Sequence, residues 1–195
     1  AIGFCLVGSE MCIRDRKRGG AWMDECLNKN NIGRNILPVA YLVCNQTPPS
    51  KDKPSLMSFD EVQTLFHEFG HGLQHMLTTV NLPQAAGINN VEWDAVELPS
   101  QFMENWCFHK NTLLNIAKHY ETGESLSDEN FEKLVKNRTF NCGMATLRQL
   151  HFAITDIRLH SNINSNKGKS PDEIRKEIAQ YTTVIEPIQE DKFLS

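Results

Sequence analysis

The chain has no C-x-x-C pair among its six cysteines, which stand at 5, 12, 26, 44, 107 and 142. Their spacing suggests neither a zinc ribbon nor a disulfide framework, so a reducing, cytoplasmic setting is expected. Positive charge is not in excess either: 20 Lys and Arg face 24 Asp and Glu, a net charge of -4. Without a basic stripe, nucleic-acid and membrane-surface partners are excluded. No apolar run approaches the roughly 20 residues needed to span a bilayer. Internal repeats, low-complexity tracts and long runs of one charge sign are absent too. What remains is an ordinary globular composition, 40% hydrophobic and 23% charged over 195 residues, enough for one domain or a piece of a larger one.

Residues 1–16 read poorly as protein. They begin without methionine, and Met11-Cys12-Ile13-Arg14-Asp15-Arg16 resembles a translated sequencing adapter. The apolar run Ala1–Val7 resembles a signal-peptide core, but no basic region precedes it in this sequence. This segment is expected to be non-native. Beyond it, Ile36–Cys44 is an apolar run rich in β-formers and predicts a strand, with Pro38 near its start. Gln46–Pro54 holds three prolines and predicts a loop.

The chemistry sits in Phe66-His67-Glu68-Phe69-Gly70-His71. Two histidines four apart on a helix project from one face, so both imidazoles can reach a single metal ion. Glu68 follows the first, where its carboxylate can take a proton from water without binding the metal. The flanks supply the helix, expected at about 58–79. Ser58-Phe59-Asp60-Glu61 is a capping box, and Val62, Leu65, Phe66, Phe69, Leu73, Met76 and Leu77 form an apolar stripe. Gly70 and Gly72 each cost about 1 kcal/mol against alanine there, so something is expected to pass close to the backbone.

Two histidines leave a zinc site short of a ligand. A third histidine six residues past the second would mark a metzincin, but that position is Leu77. His75, one turn beyond His71, cannot converge on the same ion and reads as a polar neighbour or a surface residue. A carboxylate from the next helix remains, giving His₂Glu coordination. Glu92 and Glu97 are both candidates. Glu92 stands in a loop, whereas Glu97 opens a helix expected to start around Asp94–Leu98, since Pro99 is tolerated only in a first turn or at a kink. Glu97 shares a face with Asp94, Gln101 and Glu104, and spacing favours it modestly. Asp94 and Glu104 are candidates for holding the ligands.

Further helices are predicted over Ser127–Phe140, over Cys142–His160 with its apolar face largely buried, and from the capping box Ser170-Pro171-Asp172-Glu173 to a point before Pro187. Asn162–Lys169 reads as a polar, mobile connector. Cys26, Cys44, Cys107 and Cys142 are expected as small core fillers, and His109, His119, His151 and His160 as residues without chemistry.

These motifs carry a resemblance. Phe59 through Leu73, followed by Trp93-Asp94-Ala95-Val96-Glu97-Leu98-Pro99-Ser100-Gln101-Phe102-Met103-Glu104-Asn105-Trp106, resembles the thimet oligopeptidase family of zinc metallopeptidases. Lys17–Asp24, Pro38–Pro49 and Thr146–Leu150 match it as well. The resemblance covers almost all of 17–195 and implies a partial catalytic domain, mainly α with a small β element near the N-terminus, of zincin-like architecture. It implies one Zn²⁺ held by His67, His71 and Glu97, with Glu68 as general base and short peptides as substrates, and it decides against Glu92. Family members are several times longer. They carry a later Gly- and Tyr-rich segment that steadies the oxyanion, a role for which neither Tyr120 nor Tyr181 has the matching context. A fragment of a peptidase is therefore expected. The alternatives are a dipeptidyl carboxypeptidase of the same family and an inactive zinc-binding piece.

Overall fold

The computed structural model describes residues 19–161, 168–185, 187, 188 and 191. The non-native reading of 1–16 and most of the mobile connector, 162–167, fall outside the described residues. The chain divides into two compact units, Ala1–Ser127 and Asp128–Ser195.

In the first unit, β1 (Ala21–Leu27) and β2 (Val39–Cys44) form a two-stranded antiparallel sheet. Ala21 stands opposite Cys44 and Leu27 opposite Val39, with a register irregularity between Glu25 and Leu27. The expected strand starts three residues late. Pro38 donates no ladder hydrogen bond, and Ile36 makes an isolated bridge to Asn30 instead.

Helix α1 (Phe59–Met76) starts where the capping box demands: Glu61 N–H donates to Ser58 Oγ at 3.2 Å and Ser58 N–H donates to Glu61 Oε2 at 2.7 Å. It packs on the sheet and on α2 (Leu98–Glu104). A 3₁₀ turn, Asn105–Phe108, continues α2, and α3 (Lys110–Ile116) follows. The sequence reading assigns no element to β1 or α3.

The close approach expected at the α1 glycines is present. A methyl group at position 70 would lie 2.6 Å from both the Pro99 carbonyl oxygen and Ser100 Cα, and one at 72 would lie 3.1 Å from the Leu42 side chain. Gly70 therefore lets the first turn of α2 lie against the middle of α1. The fully buried His75 ties the end of α1 to the sheet, its Nε2 lying 3.0 Å from the Leu27 carbonyl oxygen. It is a buried anchor, not a surface residue.

The second unit holds α4 (Asp128–Asn137), α5 (Cys142–Ser161) and α6 (Pro171–Thr182), the last capped by Ser170. Helix α5 corrects an expectation. Met144, Leu150 and Ile157 are exposed, and the side of α5 that is buried carries His151 and Thr155. Among the described cysteines only Cys107 is a buried core residue; Cys44 is half-buried, while Cys26 and Cys142 are exposed. No helix among the described residues is long and apolar enough to cross a membrane.

Candidate metal centre

His67 and His71 are four positions apart on α1, so their rings stand one turn apart with centroids 5.0 Å from each other and planes at 83°. Glu97 is the residue just before α2, with φ -85° and ψ -3°. Its side chain reaches back across the seam that Gly70 leaves open. His67 Nε2 and His71 Nε2 each lie 3.1 Å from Glu97 Oε2. Among the described residues this is the one trio of His, Cys, Asp or Glu whose ligand atoms lie within 4.8 Å of one another. Glu92 is exposed in the preceding turn and takes no part.

The arrangement fits a tetrahedral ion. Bonds of 2.0–2.2 Å at tetrahedral angles set ligand atoms roughly 3.3 Å apart, close to the two separations found. Two neutral imidazole nitrogens and one carboxylate oxygen also suit a borderline-soft divalent metal, with a position left over.

The supports differ from ligand to ligand. His67 Nδ1 lies 2.7 Å from Glu104 Oε1, as the shared helix face suggests. Ser100 Oγ, fully buried, donates to both the backbone carbonyl and Oε2 of Glu97 at 2.9 Å. Partial burial pushes Glu97 up, but that hydrogen bond and the His71 and His67 rings outweigh it and hold the carboxyl below its usual range. Asp94 is exposed and makes no such contact. The sequence gives neither Ser100 nor Gln63 a role in the site. The available signal is spacing: Ser100 lies three residues after Glu97, and Gln63 four before His67.

Glu68 is 6% exposed beside the trio. Burial raises its pKa; the His67 and His71 rings work against this and Glu97 adds to it. It lines a cleft of about 490 Å³ together with Ala21, Asp60, Gln63, Thr64, His67 and Glu104. The cleft gives a small ligand access to Glu68 and to His67 at once.

Comparison with known proteins shows the family to which the chain belongs. Residues 10–193 match the model of peptidase family M3, and the chain belongs to that family of metallopeptidases. Organellar oligopeptidase A, chloroplastic/mitochondrial, of Arabidopsis thaliana is 55% identical over 91% of this chain and 23% of its own length. Oligopeptidase A of Escherichia coli is 46% identical over 90% of this chain and 26% of its own. Dipeptidyl carboxypeptidase of Escherichia coli is 35% identical over 82% and 23%. The chain thus spans about a quarter of the length of the curated relatives it matches.

Proposed function

We propose that the polypeptide carrying this chain is a zinc-dependent oligopeptidase that hydrolyses short peptides, with His67, His71 and Glu97 holding one Zn²⁺ and Glu68 acting as general base. The observation that carries this reading is the convergence of two imidazole nitrogens on one carboxylate oxygen beside a buried second carboxylate. A zinc ion supplies polarisation of the scissile carbonyl and acidification of water.

The rest falls to the protein's own side chains. Glu68 takes the proton of the attacking water on its carboxylate and passes it to the leaving amine. A carboxyl raised by burial is a stronger base than a surface one, which suits the first of these steps. Glu97 and Ser100 keep the ligand geometry rigid while the cleft admits the peptide. The higher identity to proteins named oligopeptidase A than to a dipeptidyl carboxypeptidase supports an endopeptidase over release of C-terminal dipeptides.

The test is Glu68→Gln in the full polypeptide, followed by peptide cleavage and zinc content. The variant should keep its zinc and lose about 10²–10⁴-fold in rate, the usual worth of a general base. Cleavage at the native rate would remove Glu68 from the mechanism.

A further inference from the structure

One metal-side histidine is held from behind and the other is not. His67 Nδ1 lies 2.7 Å from Glu104 Oε1, and the other oxygen of Glu104 accepts a hydrogen bond from Gln63 Nε2 at 2.5 Å. His71 Nδ1 is buried and has no hydrogen-bond partner among the described residues. Gln63, His67 and Glu104 all line the same cleft. Gln63 sits on α1 one turn before His67, while Glu104 is the last residue of α2, seven after Glu97. The two ends of α2 thus reach opposite sides of one imidazole: Glu97 faces Nε2 and Glu104 faces Nδ1.

We infer that Glu104 is the positioning residue of the metal site, fixing the tautomer and ring angle of His67, and that Gln63 acts through Glu104 by fixing its carboxylate. This rests on the ligand set proposed above. A carboxylate only accepts, so His67 Nδ1 carries the hydrogen and Nε2 keeps its lone pair toward His71 and Glu97. A free imidazole in water favours the opposite tautomer and must rearrange before it can ligate through Nε2. Removing Glu104 therefore weakens metal binding with every ligand still in place. Gln63 donates to the carboxylate oxygen that His67 does not use, which stops the carboxylate from swinging. Its effect must vanish when Glu104 is gone.

The experiment measures Zn²⁺ affinity of the full chain by competition with a chromophoric chelator. The variants are Glu104→Leu, Glu104→Gln, Gln63→Leu and Gln63→Leu combined with each Glu104 variant. His71→Ala is the control. Glu104→Leu should weaken binding about 10–100-fold, the usual effect of losing such a partner. Glu104→Gln, whose amide oxygen can still accept, should lose less. Gln63→Leu should weaken binding in the native background and add nothing beside Glu104→Leu. The ring ¹⁵N shifts of His67 in the metal-free chain should report the Nδ1–H form in the native protein and a shift toward Nε2–H in Glu104→Leu. A purely structural role would leave that signature unmoved.

Affinity within about twofold of native in Glu104→Leu overturns the inference, as does an equal Gln63→Leu loss in both backgrounds. If circular dichroism shows Glu104→Leu unfolded, Glu104→Gln with and without Gln63→Leu decides by the same comparison. Unchanged affinity in His71→Ala overturns the ligand set itself. Lost affinity there with native affinity in Glu104→Leu overturns only the positioning role.

Discussion

Each of the two units buries polar groups, and each deals with them differently. In the first, two imidazole nitrogens and a carboxylate oxygen converge on one point. In the second, Arg175 is 1% exposed and is closed off by its own neighbours. Its Nε and Nη2 reach Asp172 Oδ1 at 3.0 and 2.9 Å, and its Nη1 reaches Asp191 Oδ2 at 2.7 Å. Nearby, His151 Nδ1 meets Thr182 Oγ1 at 2.7 Å. Burial and the Arg175 charge lower the His151 pKa, only partly offset by Asp191. The lesson is about completeness. A buried charge met by carboxylates from its own unit can be kept inside a fold, whereas donors aimed at a common point gain their full value when an ion joins them.

The largest expected effect separates the two clusters by their response to metal. Zn²⁺ at about 1,000 times its Kd should stabilise the first unit by about 4 kcal/mol, from mass action alone. All three tryptophans, Trp22, Trp93 and Trp106, lie in the unit that ends at Ser127, so indole fluorescence during urea unfolding reads that unit. Glu97→Ala should abolish the zinc response while leaving the metal-free curve nearly unchanged. An equal zinc response in Glu97→Ala would break the comparison at its root.

A smaller effect belongs to the closed cluster. Arg175→Met keeps most of the buried volume but takes the guanidinium from Asp191 and leaves Asp172 with Lys176, whose Nζ lies 2.7 Å from its Oδ2. Breaking a fully buried pair costs about 3–5 kcal/mol; here Asp172 and Asp191 retain solvent contact, so about 1–2 kcal/mol is expected. Hydrogen exchange of the α6 amides should speed up accordingly, equally with and without zinc. Slower exchange would mean that the charge network is a burden on the fold.

The helix that carries His67 and His71 was legible in the sequence because every signal agreed: the capping box, the apolar stripe and the paired histidines all describe α1. Pro99 fixes where α2 can begin, which favoured Glu97 over Glu92 only modestly; the family resemblance decided between them. Other features depend on partners that no local pattern names. The AWMDECL sequence of β1 has no clean alternation and becomes a strand only through pairing with β2. The apolar residues of α5 show that the helix can bury a face, but Met144, Leu150 and Ile157 are exposed while His151 and Thr155 turn inward. Periodicity reports what could be buried, and tertiary contacts decide what is. Gln63 and Ser100 escaped for the same reason: a polar side chain at helical spacing is a surface residue until a partner from another turn is in view.

The smallest effect tests a device that both units share. Ser58 with Glu61 and Ser170 with Glu173 are the same capping box at the starts of α1 and α6. Hydrogen bonds from the Ser58 backbone N–H, then from the Thr47 hydroxyl and N–H, lower the Glu61 pKa to about 2. Glu173 is lowered too, by the Ser170 backbone N–H and hydroxyl, without a counterpart of Thr47. A depressed carboxyl contributes stability that is present above the ordinary carboxylate range and lost as pH falls toward the folded-state value. Acid should therefore loosen α1 between about pH 4.5 and 2. Glu61→Gln should flatten the acid limb of the fluorescence transition, and Glu173→Gln should leave that limb unchanged, because the tryptophans do not report on α6. Thr47→Val should narrow the difference between the two boxes by raising Glu61 toward its ordinary value. If Glu61→Gln leaves the acid limb as steep as in the native chain, the cap does not govern how α1 responds to acid, and the two helix starts differ in nothing that pH can read.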